Sequence, residues 1–223
     1  MKDLVYYSTR GDSRPVSAAE AIVNGIAADG GLYVPSFIPQ ITTPLTALAA
    51  LSYQELAQEI MQLYLPDFSA AELQLAISQA YDEKFATPAI APLVNHAGTY
   101  FLELFHGPTL AFKDMALSIL PHLLRIAAQK CGLQQEVVIL TATSGDTGKA
   151  ALAGFANVSG TKIIVFFPEH GVSPVQKRQM VTQEGDNTYV VGIEGNFDDA
   201  QSGVKAIFAD EKLRAKMASS GYI

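Results

Sequence analysis

Two short segments of this 223-residue chain combine residue types and spacing that can do chemistry. The first is Thr141-Ala-Thr-Ser-Gly-Asp-Thr-Gly-Lys149. Its glycines let the backbone turn tightly, and Thr143, Ser144 and Thr147 supply hydroxyls. N–H groups at the start of a following helix favour an anion such as a carboxylate or phosphate. Asp146 in the same turn would repel a polyphosphate. The ending Gly148-Lys149 is like that of a P-loop, but G-x-x-x-x-G-K-[ST] would need Gly at 143 and Ser or Thr at 150, where the chain has Thr143 and Ala150. Two readings stand: a ligand-holding loop, or a helix merely capped by Asp146 or Thr147 with glycines fixing the turn.

The second segment is Phe105-His-Gly-Pro-Thr-Leu-Ala-Phe-Lys-Asp114. Lys113 lies at the start of a predicted helix among Leu110, Ala111, Phe112 and Met115. The positive end of a helix and apolar neighbours both disfavour an ammonium, and a neutral amine is what imine formation with an aldehyde requires. Asp114 pulls the other way, towards a solvated Lys113–Asp114 pair.

Other polar residues read more plainly. His96, His106, His122 and His170 have no metal-ligand spacing, so no metal site is expected; only His106 lies near Lys113 in sequence. Asp82-Glu83 and Asp210-Glu211 read as solvated helix faces, and Gly195-Asn-Phe-Asp-Asp199 as a capped helix start. Lys149, Lys177 and Arg178 are candidate anion ligands, more often found as surface cations. Cys131 is the only cysteine, read as a small buried apolar residue in a reducing compartment.

The elements that must position these residues change character along the chain. Ser17-Ala-Ala-Glu20, Ser52-Tyr-Gln-Glu55 and Ser69-Ala-Ala-Glu72 are capping boxes ahead of apolar residues at helical spacing. Gly30-Gly31, Pro35, Pro39 and Pro44 mark a long irregular crossing between the first two helices. A hairpin turning at Asn95-His-Ala-Gly98 closes this helical part, and a helix over 113–130 is expected to kink at Pro121. Three apolar runs, 137–140, 162–167 and 189–193, read as buried parallel strands, alternating with helices over 148–158 and 174–184. The second of these helices has Ser173 as cap, Pro174 at its first position, Gln176 completing a box, and Gly185 past its end. A last helix spans 200–217. The expected architecture is α/β: a helical domain over 1–90, then an incomplete parallel three-layer α/β domain over 91–223. Three parallel strands leave open edges, so the chain is expected to be part of a longer protein.

Composition narrows the function classes. Apolar residues make up 49% and charged residues 17%, which argues against disorder or a coiled coil. A net charge of −7 argues against nucleic-acid or anionic-membrane binding. No signal peptide or membrane-spanning segment is visible, and a cytoplasmic protein is expected.

Five motifs in order resemble the threonine synthases, pyridoxal-phosphate (PLP) enzymes of the tryptophan synthase β-like fold (fold type II). They are Tyr7-Ser-Thr-Arg-Gly11, Asp29-Gly-Gly-Leu-Tyr-Val-Pro35, Glu103-Leu-Phe-His-Gly-Pro-Thr-Leu-Ala-Phe-Lys-Asp114, Thr143-Ser-Gly-Asp-Thr-Gly148 and Phe197-Asp-Asp199. The resemblance implies that Lys113 joins PLP as an imine with Phe112 near the cofactor ring. It also implies that Ser144, Gly145, Asp146 and Thr147 face the substrate carboxylate and the cofactor. Related enzymes often carry Asn where this chain has Asp146, which favours the threonine synthases over cysteine synthase or serine dehydratase. The family's later Gly-Asn-Phe-Gly-Asp phosphate loop is not found, so the resemblance covers about half a threonine synthase, expected to be inactive alone. The implied reaction is that of a lyase in amino-acid biosynthesis, taking the small molecule O-phosphohomoserine and water to threonine and phosphate. Alternatives are a phospho-lyase acting on O-phosphothreonine, another fold type II PLP lyase, and a non-catalytic nucleotide-binding domain.

Overall fold

The computed structural model describes residues 4–223. The chain gathers into two compact units. One comprises residues through Glu83 with Thr87–Ile90 and His122–Leu133; the other comprises Lys84–Ala86, Ala91–Pro121 and Gln134–Ile223.

In the first unit, strand β1 (Tyr6–Ser8) and helix α1 (Ala18–Asn24) precede strand β2 (Tyr33–Pro35), which pairs antiparallel with β1. Three-residue strands are too short for alternation to show, so both were invisible in the hydrophobic pattern. Asp29 ties this ribbon together: Oδ1 accepts from Ser8 Oγ at 2.6 Å and Gly31 N at 2.9 Å, and Oδ2 from Asp12 N at 3.0 Å. The motifs over 7–11 and 29–35 are therefore one local structure. The irregular crossing also holds a one-turn helix, α2 (Leu45–Leu48).

Helices α3 (Tyr53–Tyr64) and α4 (Ala70–Ala80) pack on one another. All three predicted capping boxes form, Ser17 with Glu20, Ser52 with Glu55 and Ser69 with Glu72. Leu73, Ala76, Ile77 and Ala80 recur at helical spacing and are fully buried. The rings of Tyr53 and Tyr81 meet edge-on at 4.9 Å, and the carbonyl of Tyr81 accepts from Gln54 Nε2 at 2.7 Å. Burial pushes the Tyr81 hydroxyl far above its ordinary range.

The second unit opens with the expected hairpin, β3 (Leu93–His96) against β4 (Thr99–Leu102), turning through Ala97 and Gly98. The single helix expected over 113–130 is instead two, α5 (Asp114–Leu117) and α6 (Leu120–Lys130), separated at Ser118 and Ile119. Pro121 does not kink α6. It sits in the first turn, where a missing N–H costs nothing because that turn has no intrahelical acceptor. From His122 onward α6 belongs to the first unit, and there Lys130 pairs with Glu72 at 2.9 Å. Cys131 follows and is exposed, not buried as expected; partial desolvation and then the Glu20 and Asp67 carboxylates push its thiol up.

Strands β5 (Val137–Ala142), β6 (Thr161–Pro168) and β7 (Thr188–Ile193) form a parallel sheet in that order, with Ile139 opposite Ile163 and Val165 opposite Val190. Helices α7 (Asp146–Phe155) and α8 (Pro174–Val181) make the crossovers. Right-handed crossovers in one direction place both on one face. Ile163, Val165 and Phe167 are almost wholly buried, as is Phe155, each contributing about 2 kcal/mol by removal of apolar area from water. Helix α9 (Phe197–Ala209) then packs against β5 and β6 on the other face, completing three layers.

The helix expected over 200–217 is also two, because Asp210 takes an extended conformation and caps α10 (Glu211–Ser219), accepting from Lys212 N and Leu213 N. Asp210 is thus a cap, not a solvated helix face. Asn196 caps α9 as expected, with Asp199 closing the box. The edge of β5 is not open. Glu136 N donates to Gly221 O at 2.9 Å, Ile223 N to Glu136 O at 3.0 Å and Val138 N to Ile223 O at 2.8 Å, a parallel pairing.

Candidate active site

Progression through the sheet runs from β5 outward to β7 and then reverses to the far side of β5, where residues 221–223 pair. In an open α/β sheet such a reversal leaves a crevice beyond the carboxyl ends of the strands. The turn between β5 and α7 lies at the carboxyl end of β5, and it is the Ser144–Thr147 segment.

Thr143, 1% exposed, shapes this turn. Its Oγ1 accepts from Gly145 N and from Gly148 N, each at 2.9 Å. Two of the amides expected to face an anion are therefore satisfied internally. Those of Asp146 and Thr147, the first two of α7, have no hydrogen-bond partner among the described residues and remain available. The Ser144 side chain is exposed. Asp146 is not the N-cap; Gly145 occupies that position and α7 has no side-chain cap, which removes the plain capping reading.

The Asp146 carboxylate is anchored through one oxygen. Oδ1 accepts from Gln176 Nε2 at 2.8 Å and lies 3.4 Å from Lys149 Nζ. The Gln176 amide first, then the Lys149 and Lys113 ammonium groups, hold this carboxyl below the ordinary range against a smaller desolvation effect. A depressed folded-state value means a contribution to stability that is full above the unfolded value and lost as pH falls through the folded one. Asp146→Asn is therefore expected to lower Tm at pH 7 and to lower it progressively less as pH falls below the ordinary carboxylate range, which thermal melts from neutral to acid pH would check.

Lys113 is placed by its neighbours rather than by a long helix. Asp114 is 2% exposed and accepts from Thr109 N at 2.8 Å and Thr109 Oγ1 at 2.6 Å. This clamp closes a tight loop in which Leu110 adopts φ +62°, a left-handed conformation costing about 1 kcal/mol for a residue with a side chain. Asp114 is thus directed into the loop, and the solvated Lys113–Asp114 pair does not form. The helix that follows is one turn long, too short for the macrodipole argument.

Lys113 itself is half-buried. Its Nζ lies 4.1 Å from the centroid of the exposed Phe112 ring and forms no hydrogen bond or ion pair with any described residue. Helix α5 packs on α7, and an added Cβ at Gly154 would collide with the carbonyl of Leu117, so glycine permits that approach. Lys113 immediately precedes α5 and the Ser144–Thr147 turn leads into α7, so this packing brings the amine and the turn into one neighbourhood.

Two of the remaining candidates are committed elsewhere. His106 Nε2 lies 2.7 Å from Glu103, and Lys177 pairs with Glu169. Among the described residues no cluster of His, Cys, Asp and Glu could hold a metal ion, and no helix is long and apolar enough to cross a membrane. Sequence reasoning missed the clamp at Asp114 and the reach of Gln176. The latter had a visible cue: three capping boxes end in Glu, whereas this one ends in Gln, which alone has N–H groups to donate.

Comparison with known proteins follows this geometry. The family described as "Threonine synthase N terminus" matches residues 5–81, and that described as "Pyridoxal-phosphate dependent enzyme" matches residues 83–220. The chain belongs to the pyridoxal-phosphate-dependent enzymes. A threonine synthase from Pseudomonas aeruginosa is 44% identical over 209 residues, covering 92% of this chain and 44% of that protein. The crystal structure of PLP-bound threonine synthase from Brucella melitensis superposes with a TM-score of 0.86 at 40% identity, covering 94% of this chain and 45% of that one. That of threonine synthase from yeast gives 0.84 at 36%, covering 94% and 44%. The chain thus spans a little under half the length of these relatives.

The residues present fit PLP. An aldehyde needs an amine not engaged in an ion pair, a pyridine ring needs a flat apolar surface, and an anionic group needs free N–H donors. Lys113, Phe112 and the first amides of α7 supply these chemistries.

Proposed function

We propose that this chain is the PLP-binding part of a threonine synthase, a carbon–oxygen lyase that converts O-phosphohomoserine and water to L-threonine and phosphate. The observation that carries the reading is the unpaired Lys113 amine beside the Ser144–Thr147 turn, in a chain whose first 81 residues include a match to the threonine synthase N terminus. PLP, when bound, supplies an aldehyde carbon for an amine and a ring that withdraws electrons from the adjoining carbons. Lys113 would hold it, with Phe112 against its ring.

The chain's own residues then have definite work. The Lys113 amine, mobile on its four-carbon stem, takes protons from the substrate's α and β carbons and gives protons back at the γ and α carbons. The Asp146 and Thr147 amides and the Ser144 hydroxyl orient the substrate carboxylate at the start of α7. Phosphate leaves from the γ carbon, which takes up a proton and ends as a methyl group, and water adds at the β carbon, which has given up one proton and gains the hydroxyl; the sum is O-phosphohomoserine plus water to threonine plus phosphate.

Residues through about 90 act, on this proposal, as the N-terminal threonine synthase domain, and 91–223 as the first part of the catalytic domain. The substrate is a small molecule and the setting cytoplasmic, consistent with the lone unpaired thiol. Product analysis on the PLP-loaded protein tests the function. In a full-length protein carrying this chain, threonine and one equivalent of phosphate from O-phosphohomoserine are expected; 2-oxobutyrate from O-phosphothreonine, without threonine, would overturn the assignment in favour of a phospho-lyase, and the 223-residue chain alone is expected to form no threonine.

A further inference from the structure

We infer that Gln176, one turn into α8 and thirty residues beyond the turn, is a positioning residue that fixes the Asp146 carboxylate and the backbone of the Ser144–Thr147 turn. The inference deepens the functional reading above and rests on it for its meaning in catalysis.

The orientation of the Gln176 amide is determined from both ends. Its Oε1 accepts from Ser173 N at 3.3 Å and Ser173 Oγ at 3.0 Å, and its own backbone N–H donates to Ser173 Oγ at 3.3 Å. Its Nε2 donates to Asp146 Oδ1 at 2.8 Å. A flipped amide would set N–H against N–H at Ser173 and oxygen against oxygen at Asp146, so both partners demand one arrangement. The bond to the carboxylate is charge-assisted, the stronger kind.

The turn is built to receive this side chain. Gly145 has φ +140°, a conformation that side chains rarely adopt, and a Cβ there would lie 2.5 to 2.6 Å from the Gln176 amide atoms. With Oδ1 held by Gln176 and Lys149, Asp146 Oδ2 makes no hydrogen bond with any described residue and is left for a ligand. A capping box on one helix thereby sets the geometry of a loop at the start of another. The three other Ser boxes, ending in Glu20, Glu55 and Glu72, have no N–H with which to do so.

Three variants separate this role from plain helix capping. Gln176→Glu keeps the box, since Glu is the ordinary residue there, but sets a second carboxylate against Asp146. Gln176→Glu with Asp146→Asn exchanges donor and acceptor across the same bond. Ser173→Ala weakens the box and leaves the Gln176–Asp146 bond intact. Hydrogen exchange of the Gly145 and Gly148 amides, followed by mass spectrometry or NMR on the 223-residue chain, reads the turn without needing cofactor or activity.

Gln176→Glu is expected to speed this exchange by about 10-fold or more and, since it removes the bond that holds the Asp146 carboxyl down, to lower Tm at pH 7 as Asp146→Asn does. The double variant should return it to within about threefold of the starting protein, and Ser173→Ala should lower Tm by about 3 °C with exchange in the turn unchanged. Unchanged exchange in Gln176→Glu, no recovery in the double variant, or equal acceleration in Ser173→Ala would overturn the proposal. Borohydride reduction of the PLP-loaded protein keeps the two claims apart. Expected exchange together with no label at Lys113 would leave Gln176 a positioning residue and refute the site reading instead.

Discussion

In a full-length, PLP-loaded protein carrying this chain, replacing Lys113 with Ala is expected to abolish turnover while leaving the fold intact. Proton transfer by one well-placed side chain is worth about 10² to 10⁴ in rate, and the same amine also anchors the cofactor, so a loss of at least about 10³, or ~4 kcal/mol in barrier, follows. Lys113→Arg should do no better, because a guanidinium does not give up its proton at any ordinary pH. Stability should barely change, since the Lys113 amine bonds to no described residue and its side chain is only half-buried. Tm measured beside turnover separates lost chemistry from lost structure.

Asp114→Ala is expected to act in the opposite way, through structure first. It removes the acceptor for both Thr109 N and Thr109 Oγ1 in a loop where Thr109 is 8% and Asp114 2% exposed. Two buried donors left without partners cost about 3 kcal/mol together, or about 10 °C in Tm for a chain of this size. The left-handed Leu110 conformation loses its clamp at the same time, so the amine one residue away loses its fixed position. Asp114→Asn keeps one acceptor but turns an N–H towards a Thr109 donor, and should fall between. Chemical denaturation curves on the three proteins would show this order.

The contrast between these two residues bears on what could be read from sequence. Lys113 and Asp114 are adjacent, and as letters they suggest a surface ion pair. Only the loop over 107–110 reveals that Asp114 is directed inward and that Lys113 is left unpaired, because burial is decided by chain path and not by residue type. The turn at 143–148 was readable as a tight strand-to-helix connection from its glycines and its place after a strand. Its internal wiring through Thr143 was not, since a hydroxyl can reach several amides and sequence does not say which.

Among the elements, long periodic segments with caps were predictable and short ones were not. The four Ser capping boxes and three parallel strands form where expected. The helices expected over 113–130 and 200–217 both proved to be pairs. In each, a helical apolar pattern continued through a break that one local feature imposed, the Ser118–Ile119 turn in the first and the Asp210 cap in the second. The strands β1 and β2 are held by Asp29, a side-chain contact that periodicity does not register.

One measurement bears most directly on the central claim. A full-length, PLP-loaded protein carrying this chain is reduced with borohydride, digested, and the fixed pyridoxyl group located by mass spectrometry. The account predicts a single label on the peptide carrying Lys113, abolished in Lys113→Ala. A label on Lys149, Lys177 or any other lysine, or a label that survives that substitution, would contradict it.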